Sequence, residues 1–283
     1  MNGHNQEQAD QRKKQVLVKQ LKVIEKQEQK LFEPKESSFL MAKMNPVIDK
    51  VQNKIPEKLK AALDTAFYKG FQLVFEKGST YIEKTYNKDK IQLEYDLNNY
   101  AVDKYTSRKL IKRLDKQSGR SSLLNSSIAV IEGGVLGLLG IGLPDIPLFI
   151  AVIIRNLNEI ALSYGYGYAA KEEKAYQLTI ICGALVKGEL QKEYSEKTDT
   201  LGAGIDSGVI DGDGQKELLK ETANLLSDTL LTSKFIQGLP LVGVIGGAVN
   251  HTVITRISRY ARLKYKKRYL LGKLNNKNIK AEF

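Results

Sequence analysis

Residues 128–165 constrain the fold of this chain more than any other stretch, because they form a long apolar run that is interrupted once. The run is spaced by glycines, and the interruption is Leu143-Pro144-Asp145-Ile146-Pro147. Between Glu132 and Arg155, Asp145 is the only ionisable residue, and such a stretch approaches the roughly 20 apolar residues that a transmembrane helix needs. The two prolines divide the run into shorter pieces, which favours a helical hairpin buried in protein over a membrane span.

The remainder of the chain predicts helices. Apolar residues recur at helical spacing in 10–31, 56–77 and 215–235, and we also predict helices over 88–116 and 168–187. Alternation with a period of two is rare and short. A second glycine-spaced apolar segment, 238–247, leads into a basic helix that we expect to end near Leu271. We therefore predict an all-α fold. It would be a single helical domain of about eight helices with two glycine-rich apolar helical hairpins and an N-terminal helical arm.

Proline positions and composition divide the chain into three predicted parts. Residues 1–36 form a charged arm, predicted to be helical, in which Leu17, Leu21, Ile24 and Leu31 make a thin apolar seam. Residues 37–271 form the helical domain, and residues 272–283 form a polar tail. Within the domain, residues 188–213 are polar and glycine-rich, which predicts a surface loop or partial disorder.

The charge and the cysteine content indicate the class of partner and the compartment. Lys and Arg total 44 against 32 Asp and Glu, a formal net charge of +12, and such an excess favours a polyanionic partner. The single cysteine excludes an intrachain disulfide and fits a reducing compartment. The first fifteen residues lack the apolar core of a signal peptide. We therefore expect a cytoplasmic protein, peripheral at the inner face of the cell membrane.

The basic helix near the C-terminus is the candidate site for a membrane or another polyanion. Val253, Ile254 and Ile257 form its apolar face. A basic amphipathic helix suits an anionic membrane surface. It also suits nucleic-acid phosphates, or a solvent-exposed position at which the helix binds no ligand. The preceding apolar segment favours the membrane. The candidate binding residues are Arg256, Arg259, Arg262, Lys264, Lys266, Lys267 and Arg268.

The polar residues of the apolar hairpin are the other candidates. Asp145 is placed to cap a helix, and Arg155 and Glu159, four residues apart, are placed to pair. The pair is either a structural clamp or a polar site that faces a groove. Gly133/Gly137 and Gly243/Gly247 are Gly-x-x-x-Gly pairs, which allow close helix packing in a core or in a membrane.

No metal site or cofactor site is predicted. Of the two histidines, neither His4 nor His251 has a partner at ligand spacing. Asp211-Gly212-Asp213 begins like a calcium loop, but Lys216 occupies the position that requires glycine. The sequence also lacks a P-loop, a dinucleotide fingerprint and a nucleophile elbow.

Two separated motifs resemble the EcsC protein family. Leu143-Pro144-Asp145-Ile146-Pro147, with the later Arg155, Glu159 and 161–166, resembles its central signature, and 239–250 resembles its C-terminal signature. The resemblance covers residues 55–271 and leaves the N-terminal arm without a counterpart. The motif positions are Pro144, Asp145, Pro147, Arg155, Glu159, Tyr164, Gly165, Pro240, Gly243, Gly247 and Asn250.

The resemblance implies a bacterial protein whose founding relative is encoded with the ATPase and permease of an ABC transporter linked to protein secretion. No activity is established for the family, so no catalytic residue is transferred. The expected function is a membrane-peripheral accessory or interaction protein with transporter components as partners. Two alternatives are an enzyme that acts on lipid or peptide through a groove of Asp145, Arg155 and Glu159, and a nucleic-acid binder that uses the basic helix.

Overall fold

A computed structural model describes residues 2–32, 55–119, 145–209, 214–236 and 247–279, with the backbone alone for 2–6, 9, 145, 233–236, 247–250 and 276–279. Every regular element in these ranges is a helix, so the all-α prediction is confirmed. The helices are α1 Asn2–Phe32, α2 Glu57–Leu73 continued by a π-helical turn Val74–Gly78 and by Ser79–Glu83, α3 Lys88–Tyr105, α4 Arg108–Ser118, α5 Asp145–Ser163, α6 Lys171–Leu185, α7 Gly188–Asp206, α8 Gln215–Ile236 and α9 Gly247–Ile279.

Helix α6 is the centre of the described fold. From Ala175 to Leu185 every residue is buried, and α7, α8 and α9 pack around it. Burial on all sides explains why this segment lacks an amphipathic pattern. Cys182 is buried here with Sγ 3.1 Å from the Thr222 hydroxyl.

Helix α5, the second piece of the apolar run, is also a core helix. It packs against α2, α3, α4 and α9, and Phe149, Ile150 and Leu157 are among its buried residues. Burying each such side chain contributes about 1.5–3 kcal/mol. The first piece of the run and residues 237–246 lie outside the described residues, as do Gly133, Gly137 and the motif positions Pro144, Pro240 and Gly243.

The N-terminal arm is a long helix that docks on the body. Leu17, Leu21 and Ile24 are buried, whereas Leu31 is exposed. The helix lies against α7 and α9. The apolar seam of the arm therefore packs against the helical body.

The prediction of a loop was wrong for residues 188–206, because α7 spans Gly188–Asp206. Residues 210–213 lie outside the described residues. The buried side of α7 includes Gln191, Tyr194 and Thr198, polar residues that sequence composition assigns to the surface. Gly202 belongs to the same side: a Cβ there would lie 2.9 Å from the Tyr176 ring. The glycine therefore serves close packing of α7, not a turn.

Two helix boundaries also differ from the prediction. The segment 88–116 is two helices, because the chain breaks at Thr106 and restarts at Ser107, whose hydroxyl accepts the Leu110 N–H. The final helix continues past Leu271 to Ile279.

Candidate functional site

Arg155 and Glu159 form a buried ion pair on α5. Arg155 Nε lies 2.8 Å from Glu159 Oε1, and the two side chains are 12% and 8% exposed. The contact is electrostatic, because neither atom completes a well-aligned hydrogen bond among the described residues. Burial raises the pKa of the Glu159 carboxyl, and the Arg155 charge offsets part of that rise.

The surroundings of this pair are buried amides. Asn156 and Asn158 are buried on α5, and Gln177 of α6 donates to Asn158 Oδ1 at 3.0 Å. Asp145 begins α5 ten residues before Arg155, which is about 15 Å along a helix axis. Asp145 therefore lies about three helical turns from the pair along α5.

The Tyr164-Gly165 motif ends α5 and joins it to α4. Gly165 has a φ of +82°, and a Cβ there would lie 2.2 Å from the Tyr95 ring. Its N–H donates to the Leu162 carbonyl, as expected of a glycine that stops a helix. The buried Tyr164 hydroxyl donates to Asp115 Oδ1 at 3.0 Å. The Tyr164-Gly165 part of the motif therefore has a structural role, in which it ends α5 and connects it to α4.

The other motif positions within the described residues lie at helix starts. Pro147 is buried in the first turn of α5, where its missing N–H costs no intrahelical bond. Gly247 begins α9, and Asn250 follows within its first turn. The side chains of Asp145 and Asn250 are outside the described residues.

Lys264 and Lys267 of α9 share two carboxylates inside the protein. Lys264 Nζ donates to Glu28 Oε1 at 2.6 Å and to Asp199 Oδ1 at 2.8 Å. Lys267 Nζ donates to the second oxygen of each carboxylate, at 2.6 Å. Burial opposes the Lys267 charge, but the hydrogen bonds to Asp199 and Glu28 prevail and raise its pKa. This cluster ties α1 and α7 to α9.

Arg268 makes a second internal cluster. Its guanidinium binds Glu173 Oε2 at 2.8 Å and Asp206 Oδ1 at 2.7 Å. The same group stacks on the rings of Tyr166 and Tyr176, with its carbon 4.1 Å and 4.7 Å from the ring centroids. Arginine suits such a position because its planar guanidinium group pairs with carboxylates and stacks on aromatic rings at the same time.

The C-terminal basic helix therefore differs from the exposed polyanion-binding face that its sequence predicts. Lys264 and Arg268 are buried in ion pairs, and Lys266 pairs with Asp115 of α4 at 2.7 Å. Arg262 lies against Gly119 at the end of α4. Their partners come from distant parts of the chain, which is why periodicity within one helix did not identify them. Of the seven predicted residues, Arg259 is exposed and Arg256 is half-buried.

A different helix, α4, presents an exposed basic face that sequence reasoning missed. Its buried side carries Ile111 and Leu114. None of its basic residues forms an ion pair within the described part of the chain. These exposed residues are Arg108, Lys109, Lys112, Arg113 and Lys116. The signal was present in the sequence 108–118, in which basic and apolar residues alternate at helical spacing.

Beside α4, the neighbouring α3 exposes large apolar side chains. Leu93, Leu97 and Tyr100 share one helix face and are 60–65% exposed. Leu97 and two α4 cations, Arg113 and Lys116, line one groove of about 400 Å³, together with Glu94 and two amide side chains. We call these three α3 residues and the five α4 cations the α3–α4 surface.

Comparison with known proteins places the chain in a family. The model of the EcsC protein family matches residues 18–270. The chain belongs to the EcsC protein family. The matched region begins inside α1, so the EcsC region includes the second half of the helix that the sequence analysis set apart as an arm. Glu28, which binds Lys264 and Lys267, lies in this matched part.

A protein of similar sequence is itself uncharacterized. The uncharacterized protein YdbA of Bacillus subtilis (strain 168) is 24% identical over 152 residues. The match covers 53% of this EcsC-family chain and 55% of YdbA, so the chain spans about half the length of the curated relative it matches. No solved structure matches the chain.

The acidic, histidine and cysteine side chains of the described ranges are dispersed, and no group of three or more of them could hold a metal ion there. One helix in the same ranges, Ile146–Ser163, is long and apolar enough to cross a bilayer, and 83% of it is buried inside this EcsC-family protein. Such burial is typical of a core helix, so the helix is weak evidence for a span.

Proposed function

We propose that this EcsC-family protein is a membrane-peripheral interaction protein that binds an anionic membrane surface through the α3–α4 surface. The observation that carries the proposal is the set of five exposed α4 cations without ion-pair partners among the described residues. A basic residue near an anionic leaflet contributes about 1 kcal/mol. Several on one short helix are therefore enough for reversible binding.

The α3 side chains supply the apolar part of the same contact. Leu93, Leu97 and Tyr100 are exposed on the neighbouring helix α3, and Leu97 lines one groove with Arg113 and Lys116. Exposed apolar residues rimmed by charge mark interaction sites. Tyrosine favours the boundary between water and lipid. Nucleic-acid phosphates would use the cations but would leave the two leucines in water, so the membrane is the better occupant.

The position of α4 in the chain supports the same proposal. After Gly119 a short serine-rich stretch leads into 128–144, which is apolar and glycine-spaced apart from Glu132. Basic residues that flank apolar segments favour the cytoplasmic side of a membrane. A cytoplasmic location at the inner membrane face follows as part of the proposal.

Vesicle co-sedimentation tests the proposal. The test variant replaces Lys112, Arg113 and Lys116 by Gln, and the matched control replaces Lys19, Lys22 and Lys26 of α1, which are equally exposed. Both lose the same charge. We expect the α4 variant to lose roughly a hundredfold in affinity for phosphatidylglycerol vesicles while the α1 variant stays near wild type. Equal losses of affinity in both variants would show that binding depends on the net charge of the protein and not on the α3–α4 surface.

The proposed partners are components of an ABC transporter, as the family resemblance implies. A pulldown from solubilised membranes with the wild-type protein and the α4 variant examines this separately. Recovery of an ATPase or permease subunit by both proteins would assign the transporter contact to a surface other than α3–α4. Recovery of neither subunit by the wild type contradicts the transporter link and leaves the vesicle result unaffected.

A further inference from the structure

A second cationic site lies at the N-terminal half of α9, away from the α3–α4 surface, with which it shares no residue. It is a pocket of about 780 Å³ among α1, α6, α7 and α9. Lys30, His251, Arg256 and Arg259 line it, and none of the described residues adds a carboxylate to its wall. The apolar part of its wall includes Leu31 and Leu263. Its size is that of a small-molecule site.

Arg256 is the unusual member of this pocket. It is half-buried, its Nη2 donates to the Val186 carbonyl at 2.8 Å, and no carboxylate of the described residues forms an ion pair with it. Burial lowers the pKa of its guanidinium. Arg268 on the same helix is more deeply buried and binds two carboxylates. A cation removed from water without a counter-charge is costly, and an incoming anion would remove that cost.

A second, independent observation concerns Thr255 on the same wall. Its hydroxyl oxygen is buried and has no hydrogen-bond partner among the described residues. A buried polar atom without a partner costs free energy unless a ligand or water satisfies it. Thr255 therefore lines the pocket and carries a hydroxyl whose hydrogen-bonding capacity is unused among the described residues.

The chemistry of the lining identifies the ligand class. Arg256 and Arg259 are three residues apart on α9, so they project to the same side. Two guanidinium groups with a nearby lysine suit a phosphate group, which arginine binds in a bidentate manner. The leucine walls suit an apolar chain attached to that phosphate. We infer that the pocket binds the phosphate ester group of an amphiphile, with Arg256 and Arg259 on the phosphate and the chain against Leu31 and Leu263.

This inference goes beyond membrane-surface binding, because it assigns one stoichiometric ligand to one pocket. Isothermal titration tests it with three probes: dihexanoyl phosphatidic acid below its micelle concentration, glycerol phosphate and inorganic phosphate. We expect saturable binding of the phosphatidic acid with one site per protein and at least about tenfold weaker binding of the other two. Equal affinity for all three probes overturns the apolar part of the inference. No binding of phosphatidic acid overturns the whole.

Variants locate the site. Arg259→Gln, at an exposed position that carries no buried contact, is expected to weaken phosphatidic acid binding by about tenfold, and Arg256→Lys is expected to weaken it less than Arg256→Gln. The matched control is Arg113→Gln on α4, which removes the same charge from the α3–α4 surface. Unchanged binding in folded Arg256→Gln and Arg259→Gln proteins overturns the assignment. Failure of this inference is distinguishable from failure of the proposed function. The proposed function is tested by vesicle binding of the α4 triple variant, in which the pocket residues are unchanged.

Discussion

Lys264 Nζ lies 2.6 Å from Glu28 Oε1, although 236 positions separate the two residues in the chain. Lys264 is 0% exposed and Glu28 is 6% exposed. The contact joins the first described helix to the last, and Lys267 binds the other oxygen of the same carboxylate. A helix that the sequence presents as basic is therefore held in the protein by its own charges.

The first prediction concerns this carboxylate. Glu28→Gln leaves two lysines with Asp199 as their remaining acid, and breaking a buried pair in this way costs about 3–5 kcal/mol. We expect the free energy of unfolding, measured by urea denaturation, to fall by about 3 kcal/mol. Glu25→Gln, one turn earlier and exposed, is the control and is expected to change it by less than about 0.5 kcal/mol. A similar value for the two variants would show that the cluster contributes no stability.

A second prediction separates backbone strain from steric contact at glycine. Gly165 and Gly188 have φ values of +82° and +63°, but a Cβ meets the Tyr95 ring at Gly165 and nothing within 4 Å at Gly188. Gly188→Ala is expected to cost about 1 kcal/mol from strain. Gly165→Ala is expected to cost more, because Tyr95 must also move. Thermal denaturation of both proteins gives the comparison, and equal costs would mean that Tyr95 yields freely.

The third prediction concerns the pH dependence of stability through Glu159. Burial raises the folded-state pKa of this carboxyl above its ordinary value of 4.5. The folded protein therefore binds more protons than the unfolded chain above that pH, so this group lowers stability as pH rises through the interval between the two pKa values. Below the ordinary value the penalty is absent.

Glu159→Gln removes the titration. We measure the free energy of unfolding of both proteins by urea denaturation at a series of pH values. We expect that of the variant to increase relative to that of the wild type as pH rises above 4.5. Glu76→Gln, at an exposed position, is the control. A stability difference that does not change with pH would contradict a raised pKa for Glu159. The same variant tests the enzyme alternative, since cellular function that survives in folded Glu159→Gln protein argues against a catalytic role for this carboxylate.

The fourth prediction divides the α3–α4 surface into its two contributions. Leu97→Ser with Tyr100→Ser removes apolar area but no charge, so vesicle binding should weaken several-fold while its salt dependence is unchanged. The α4 triple variant should reduce the salt dependence as well. Leu190→Ser with Val209→Ser, at two other exposed apolar positions, is the control. If the control variant weakens vesicle binding equally, the loss is due to exposed apolar area in general and the α3 residues make no specific contribution.

Local patterns predicted the helices because a helix is determined largely by residues within a few positions of one another. The apolar spacing of α5 and the pairing of Arg155 with Glu159 both depend on neighbours three or four residues away. These features followed from the sequence. The membership in the EcsC family, which the motif resemblance predicted, is confirmed by a match over residues 18–270.

The tertiary structure alone decided which charges face solvent. Lys264, Lys267 and Arg268 are paired because packing brings Glu28, Asp199 and their neighbours to α9. Nothing within one helix records such a contact, and net charge counts paired and unpaired cations alike. The same packing leaves the α4 cations and the α3 leucines exposed and, among the described residues, leaves Arg256 without a carboxylate. The sequence determined the helices and the excess of positive charge, and the long-range contacts determined where that excess is available to a ligand.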